Sequence, residues 1–332
     1  MLKVGIVGLG YLGEIHVKCL TELNTDYEIV GGFDIDASRA AFIGNLYQIP
    51  VFSSLESLIE AVDLIDVVSS TRSHFSVASE VIKAGKHVFI EKPITATYKE
   101  AEELVDLCKL NQVKLQVGHV ERFNPAFLAI RNKPLNPLFL EAHRLANYNP
   151  RGNDVSVVMD LMIHDLDIIL ELVKSPIKHI TATGASVFKR SLDICNAQIE
   201  FENGCIAILS ASRVSLKNMR KLRFFQPESY VSVDFLKKEA QWIDKVQSDY
   251  PLPISTNGFE IPLEQENFKL QIINADVKDG NAIKMELEDF ARAIRGEQAE
   301  TVSVVDAARA LKVAEKIERL AVERLEKFES NP

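Results

Sequence analysis

The stretch that most constrains this chain stands at its start, where residues 2–20 read LKVGIVGLGYLGEIHVKCL. Val4–Val7 form a short apolar run of the kind that makes a buried parallel strand. Gly8, Gly10 and Gly13 follow in the spacing GxGxxG, and an amphipathic helical pattern follows them. Each glycine answers a physical need. Gly8 permits the tight turn, Gly10 lets the backbone approach a diphosphate, and Gly13 lets the helix pack against the strand. The start of the helix then offers unpaired N–H groups and a partial positive charge to phosphate oxygens. Gly8, Gly10, Tyr11, Leu12 and Gly13 are therefore candidate contacts to a dinucleotide. The bland alternative is a glycine turn that holds nothing.

The pattern continues in alternation. EIVGGFD reads as a second strand and ends in Asp34, 21 positions after Gly13. An acid there accepts hydrogen bonds from ribose hydroxyls and repels a 2′-phosphate, which favours NAD over NADP. Arg39, in DIDASRA, is the nearby group that could serve a phosphate instead, and a helix N-cap is the structural alternative for Asp34. SLESLIEAV reads as a helix, LIDVVSST as a strand running into the polar loop STRSH, and FSVASEVIKAG as a helix. KHVFIEKP is a strand, TYKEAEELVDLCKLNQ a helix and VKLQVGH a further strand. Strand and helix in alternation with short links imply right-handed crossovers and a doubly wound parallel sheet. Ligands of such sheets sit beyond the carboxyl ends of the strands. Ser70, Thr71, Ser73, His74, Glu91, Lys92, Pro93, Gly118 and His119 all fall there. Glu91 would tether the cofactor end of its loop, with a surface acid as the alternative, and Pro93 stiffens the turn.

A second cluster lies in NYNPRGNDVSVVMDLMIHDLDIIL, residues 147–170. From Val155 onward the apolar positions recur at helical spacing. Asp160 and His164 are four apart and so share a helix face. Acids on an apolar stripe need partners, and an Asp four residues before a His can hold its imidazole in one tautomer. Three readings stay open for His164: a proton acceptor beside a reacting hydroxyl, a satisfied core histidine, or a metal ligand with Asp160 and His119. The spacing of a zinc site is absent, and no metal is assigned. Arg122 and Asn124 in ERFNPA, with Tyr148 and Arg151 in YNPRGND, are candidate substrate contacts. Arginine binds phosphate oxygens bidentately. The alternatives for Arg122 and Arg151 are an interdomain ion pair and a solvated loop residue.

Residues 177–270 alternate strand patterns with polar turns, and FENG marks a hairpin. NGFEIPLEQENFKL reads as a loop entering a strand. Helices are expected at about 282–295 and 303–328. The formal charge of −9 argues against nucleic acid or an anionic membrane as partner. No apolar run is long enough to span a bilayer. The four cysteines are scattered with no CxxC pair, which fits a reducing, cytoplasmic setting. No targeting segment is expected ahead of the first strand.

With these motifs in order, the sequence resembles the glucose–fructose oxidoreductase, inositol dehydrogenase and MocA-type family. GIVGLGYLG, AGKHVFIEKPIT, DLMIHDLD and the late segment MELEDFARAIRGEQAETVSVVDAARALKVAEKIE carry the resemblance across nearly the whole chain. It implies a Rossmann domain over 1–120 and an α+β domain over 121–332 with a large, mostly antiparallel sheet. The last helices are expected to pack back on the first domain. It further implies a nicotinamide cofactor, a cofactor cleft, and subunits paired as a homodimer or homotetramer through the C-terminal sheet. By resemblance Lys92 is the catalytic lysine, and Asp160 and His164 complete the set. VGHVERFNPA and VVMDLMIHDLDII, with Met162 where many members carry a small residue, are similar to the branch containing UDP-N-acetylglucosamine 3-dehydrogenases. That branch implies hydride transfer from C3 of a nucleotide sugar. A free polyol or deoxysugar is the rival substrate, and a cofactor-binding regulator without turnover is the rival class.

Overall fold

The computed structural model describes residues 1–131, 133–148, 155–188, 191–251, 257–262 and 267–330. The chain divides into two units, Met1–Phe123 with Asn281–Lys312, and Asn124–Gly280 with Val313–Pro332.

In the first unit each short apolar run becomes a strand and each amphipathic stretch a helix. The order is β1 (Leu2–Val7), α1 (Tyr11–Glu22), β2 (Tyr27–Phe33), α2 (Ala37–Tyr47), α3 (Leu55–Ala61), β3 (Leu64–Val67), α4 (Thr71–Lys83), β4 (His87–Glu91), α5 (Tyr98–Asn111) and β5 (Leu115–Gly118). The strands pair in the order β2-β1-β3-β4-β5, all parallel. The order reverses between β1 and β3, the place where open α/β sheets hold their ligands. Helices cover both faces of the sheet, so β1, β3 and β4 are mostly apolar, with Asp66 the exception inside β3.

In the second unit the order is α6 (Pro125–Arg131), β6 (Phe139–Leu145), α7 (Ile163–Leu172), β7 (Ile177–Ala185), β8 (Ile194–Phe201), β9 (Ile206–Ser212), β10 (Met219–Gln226), β11 (Ser229–Asp234), β12 (Glu239–Gln247), β13 (Asn257–Pro262) and β14 (Phe268–Asn274). Nine strands run β13-β14-β12-β11-β10-β6-β9-β8-β7. All described pairs are antiparallel except β6 with β9. The β8–β9 hairpin turns at Glu202–Gly204, and Gly204 takes φ +86°, the left-handed region this turn requires. Two helices close the sequence, α8 (Ala282–Ile294) and α9 (Val304–Ser330).

α8 belongs to the first unit. Its Leu287, Phe290 and Ala291 pack into one core with Val17 and Leu20 of α1 and with Val4, Ile6 and Phe89 of the sheet. Burying each of the larger side chains stabilises the unit by about 1.5–3 kcal/mol. In the second unit β6 alternates strictly. Leu140, Ala142 and Arg144 are buried and the intervening residues are not. Arg144 occupies an inward position because Asp165 of α7 meets it: Nε and Nη2 donate to the two carboxylate oxygens at 3.0 and 2.7 Å.

Three local expectations are corrected. The polar loop STRSH ends at Ser70, and α4 begins at Thr71, so Thr71, Ser73 and His74 are helical. NGFEIP forms the strand β13, paired along its length with β14. The helix expected from Val155 starts as a π-helical turn over Val158–Met162 before α7. This turn is wider than an α-helical one; Asp160 stands in it and His164 stands in α7, four residues on. Both residues are half-buried. Finally, α2, α6, β6 and β10 have no counterpart in the sequence reading; in the two strands charged residues interrupt the apolar pattern.

Candidate active site

The carboxyl ends of β1, β2 and β3 enclose a groove of about 410 Å³. Gly8, Gly10, Tyr11 and Leu12 line one side, Asp34 and Ile35 another, and Ser69, Ser70 and Ser73 a third. The glycines explain why the groove exists. Gly8 takes φ +96°, and a Cβ there would lie 2.5 Å from the Ser69 backbone nitrogen. A Cβ on Gly13 would lie 2.0 Å from the Gly8 carbonyl oxygen. Gly13 therefore lies beneath the groove as the contact that lets α1 press on the turn. A Cβ on Gly10 would meet nothing within 4 Å. Its position is open because it borders the groove, and there a ligand can come against bare backbone.

Gly10 is also the N-cap of α1 and has no side chain to satisfy the first-turn N–H groups. α4 likewise starts at Ser70 with no side-chain cap. Two helix starts thus leave donors toward the same rim, which suits a diphosphate. Asp34 accepts Leu9 N–H through Oδ2 at 2.6 Å and Asp36 N–H through Oδ1 at 2.9 Å. A carboxylate has about four acceptor sites, so capacity remains for ribose hydroxyls. The N-cap of α2 is Asp36, which accepts from Ser38 and Arg39; the N-cap alternative for Asp34 is corrected. Arg39 braces the fingerprint from below. Its Nε donates to Leu9 O at 2.7 Å, and its Nη2 lies 2.9 Å from Glu14 Oε2. Arg39 and then Tyr47 hold the Glu14 carboxyl below its usual range. A guanidinium so committed is poorly placed to take a 2′-phosphate. The donors, the open Gly10 and the acid at the end of β2 together fit NAD.

The loop after β4 carries Lys92, which is half-buried, and the Lys92–Pro93 bond is cis. Glu91 is buried, so the surface-acid alternative is corrected. One of its oxygens accepts Lys92 N–H at 3.1 Å, and the other lies 3.1 Å from His16 Nε2. His74 is buried, and its ring lies between the carbonyl oxygens of Pro93 (2.9 Å) and Ser69 (3.0 Å). Burial pushes its proton affinity down, against these carbonyls. It joins two loops at the rim and does not line the groove. Thr71 opens α4. His119 and Arg122 are buried beyond β5, Arg122 in a 3₁₀ turn over Val120–Phe123.

The other candidates lie in the second unit. Asn124 donates to Phe235 O and accepts Ala126 N–H at the start of α6. Tyr148 is 45% exposed, with its ring 4.9 Å from that of Phe188. Asp160 stands in the π turn and His164 near the start of α7. Arg151 lies outside the described residues. Among the described residues no group of three or more His, Cys, Asp or Glu is gathered as metal ligands would be, and no helix is long and apolar enough to cross a membrane. The sequence reading missed Ser69, His16 and Asp66. Asp66 carried a signal, an acid inside the buried strand LIDVV, which is costly without a partner.

A glycine-turned groove at the switch point of a parallel sheet, edged by Asp34 and followed by a lysine loop, defines a nicotinamide-dependent oxidoreductase. Residues 2–119 match the model described as oxidoreductase family, NAD-binding Rossmann fold, and residues 116–226 match the GFO/IDH/MocA C-terminal domain. The chain belongs to the GFO/IDH/MocA oxidoreductase family. It is 32% identical to a UDP-N-acetylglucosamine 3-dehydrogenase of Acidithiobacillus ferrooxidans over 97% of each chain. A solved structure of that enzyme superposes with a TM-score of 0.86 at 31% identity, covering 96% of this chain and 97% of that one. An inositol 2-dehydrogenase of Acidothermus cellulolyticus is 28% identical over 54% of this chain and 56% of its own. The fold class and family expected from the sequence are confirmed.

Proposed function

We propose that this chain oxidises the C3 hydroxyl of a UDP-N-acetylhexosamine, UDP-N-acetylglucosamine foremost, with NAD as hydride acceptor. One observation carries the choice of substrate. Sequence similarity to the UDP-N-acetylglucosamine 3-dehydrogenase is 32% identity over 97% of both chains, whereas inositol 2-dehydrogenases reach 24% identity over 64% of this chain or 28% over 54%.

Gly8, Gly10, Tyr11, Leu12 and Asp34 would hold the dinucleotide, with Ser70 at the rim. Bound NAD supplies the hydride acceptor at C4 of its nicotinamide. His164 takes the hydroxyl proton as the C3–H bond gives up its electron pair, and the products are a 3-keto sugar, NADH and a proton on His164. Lys92, as an ammonium, stabilises the alkoxide forming on the oxygen. Asp160 holds the imidazole for this task. Arg122 and Arg151 are read as contacts to the sugar nucleotide's diphosphate, Asn124 and Tyr148 as contacts to its sugar or base.

Assembly through the outer face of the nine-stranded sheet belongs to the same reading. Its support is an aromatic row on that face, Phe139, Phe225 and Tyr230, with ring centroids 6.0 and 5.0 Å apart. A cytoplasmic location is supported by four free, buried cysteines. The test is NADH formation from UDP-N-acetylglucosamine set against myo-inositol and simple sugars. Turnover confined to the nucleotide sugar supports the reading, and turnover of myo-inositol alone ends it. Lys92→Ala should abolish turnover while NADH binding persists; full activity would remove Lys92 from the mechanism.

A further inference from the structure

Beneath the fingerprint lies a cluster of charged groups that the reaction above does not use. His16 stands on α1, three residues past Gly13, and is completely buried. Its Nδ1 lies 2.9 Å from Asp66 Oδ2 on β3, and its Nε2 lies 3.1 Å from Glu91 Oε1 on β4. We propose that His16 is a positioning residue for the loop that carries Lys92: clamped by Asp66, it grips Glu91 and so fixes the carboxylate that holds the Lys92 backbone. The proposal rests on the reading of Lys92 as the lysine that acts on the reacting hydroxyl.

The geometry and the charges favour a protonated ring. An ionised carboxylate only accepts hydrogen bonds, and a neutral imidazole donates through one nitrogen. With a carboxyl oxygen at each nitrogen, a protonated ring donates to both, while burial raises the proton affinity of Asp66 as well. Burial works against that charge, but Asp66 and then Glu91 outweigh it and hold the ring's proton affinity well above the ordinary histidine value. The groups that face this cluster are Asp66, Glu91, the Cys19 thiol of α1 and Glu286 of α8. Burial, followed by the charge of Glu91, raises the proton affinity of Glu286 well above the ordinary carboxyl value, which disfavours a third negative charge there. The Phe89 ring, 5.9 Å from the imidazole, is the apolar neighbour.

Glu91 is wedged from three sides. His16 meets one oxygen, and Lys92 N–H meets the other at 3.1 Å. Gly118 of β5 leaves the space it needs, since a Cβ there would come within 2.9 Å of Glu91 Oε1. The cluster is a brace and not a proton wire. It ends at Asp66, which is fully buried and whose Oδ1 has no hydrogen-bond partner among the described residues. One rigid helix therefore does two things: its start meets the diphosphate, and its second turn aligns the Lys92 loop.

The experiment compares the parent enzyme with His16→Leu, His16→Gln and Glu91→Gln. A misplacement of about 1 Å in a reacting group costs on the order of 100-fold in rate. His16→Leu and His16→Gln should lower kcat by about 10- to 100-fold, with KM and the NADH dissociation constant changed by less than about threefold. Glu91→Gln, which keeps an acceptor for Lys92 N–H, should lose less. If the histidine variants melt at lower temperature but keep the parent kcat per folded molecule, the role is structural only and the proposal falls. Should they fail to fold, nitrogen-15 spectra of the histidine-labelled parent decide. Two protonated ring nitrogens on His16 at neutral pH support the brace, and a neutral ring titrating near the ordinary value overturns it. That spectrum needs no substrate, so it stands apart from the choice of sugar nucleotide.

Discussion

Gly10→Ala separates cofactor binding from folding more cleanly than any other single change in the groove. The backbone at Gly10 has φ −66° and ψ −160°, which an alanine adopts, and its Cβ would have no neighbour within 4 Å. As an N-cap, alanine is worse than glycine by about 0.5–1 kcal/mol. Reduced entropy of the unfolded chain offsets this by about 0.4–1 kcal/mol. Folding should therefore change by less than about 1 kcal/mol, a shift in Tm of roughly 2–4 °C at most. Binding should change much more. The methyl group occupies the edge where a diphosphate oxygen approaches the α1 N–H groups, and one charge-assisted hydrogen bond is worth about 1.5–3 kcal/mol. The NADH dissociation constant should rise about 10- to 150-fold. Fluorescence titration with NADH and thermal melting read the two effects separately. Unchanged binding would show that no diphosphate lies over Gly10. A large loss of Tm would show that the space beside it is not open. Gly13→Ala, whose Cβ would lie 2.0 Å from the Gly8 carbonyl oxygen, should instead lose fold and binding together.

Three further outcomes are expected. Arg144→Met or Asp165→Asn leaves one partner of a pair that is only 3% and 4% exposed, at a cost of about 3–5 kcal/mol in urea unfolding; Arg144→Met with Asp165→Leu should recover most of it, and single losses below about 1 kcal/mol would contradict the buried pair. His16 and Glu286 both bind their protons more tightly when folded, so the native state keeps protons that the unfolded chain releases. The His16 contribution is complete below pH 6.5 and is lost as pH rises through its raised value. For Glu286, stability falls as pH rises above its ordinary 4.5 toward the folded value. Glu286 is fully buried, and neither carboxylate oxygen has a hydrogen-bond partner among the described residues. Glu286→Met should then raise Tm, more so at higher pH, by removing an unsatisfied group worth about 1–3 kcal/mol; a lowered Tm at alkaline pH would refute this. Burial pushes the thiols of Cys108 and Cys195 up to about 12 and that of Cys205 up to about 11. All four cysteines should react slowly with a thiol reagent until urea unfolds the chain, and fast reaction of any of these three in the native protein would contradict the burial.

What was legible in the sequence had short-range causes. The glycine spacing, the apolar runs of Val4–Val7 and Val88–Ile90, and the Asn203-Gly204 turn each act within a few residues, and the structure builds a strand or a hairpin at each. The groove followed because Gly8, Gly10 and Asp34 sit at strand ends whatever else the chain does. The hidden parts depend on distant partners. β6 alternates cleanly in space, but Arg144 occupies a core position and breaks the apolar pattern unless Asp165 is known to face it. His16 looked like one polar residue on a helix, because Asp66 and Glu91 lie 50 and 75 residues away. The π turn at Val158–Met162 leaves no mark in the periodicity of a short apolar run, so it was not legible in the sequence.

Deuterium placed on C3 of UDP-N-acetylglucosamine follows the hydride itself. With the parent enzyme and NAD, the label should arrive on C4 of the nicotinamide, and oxidation should slow by a primary isotope effect. Unlabelled NADH, or a reaction that leaves the deuterium on the sugar, would contradict transfer from C3.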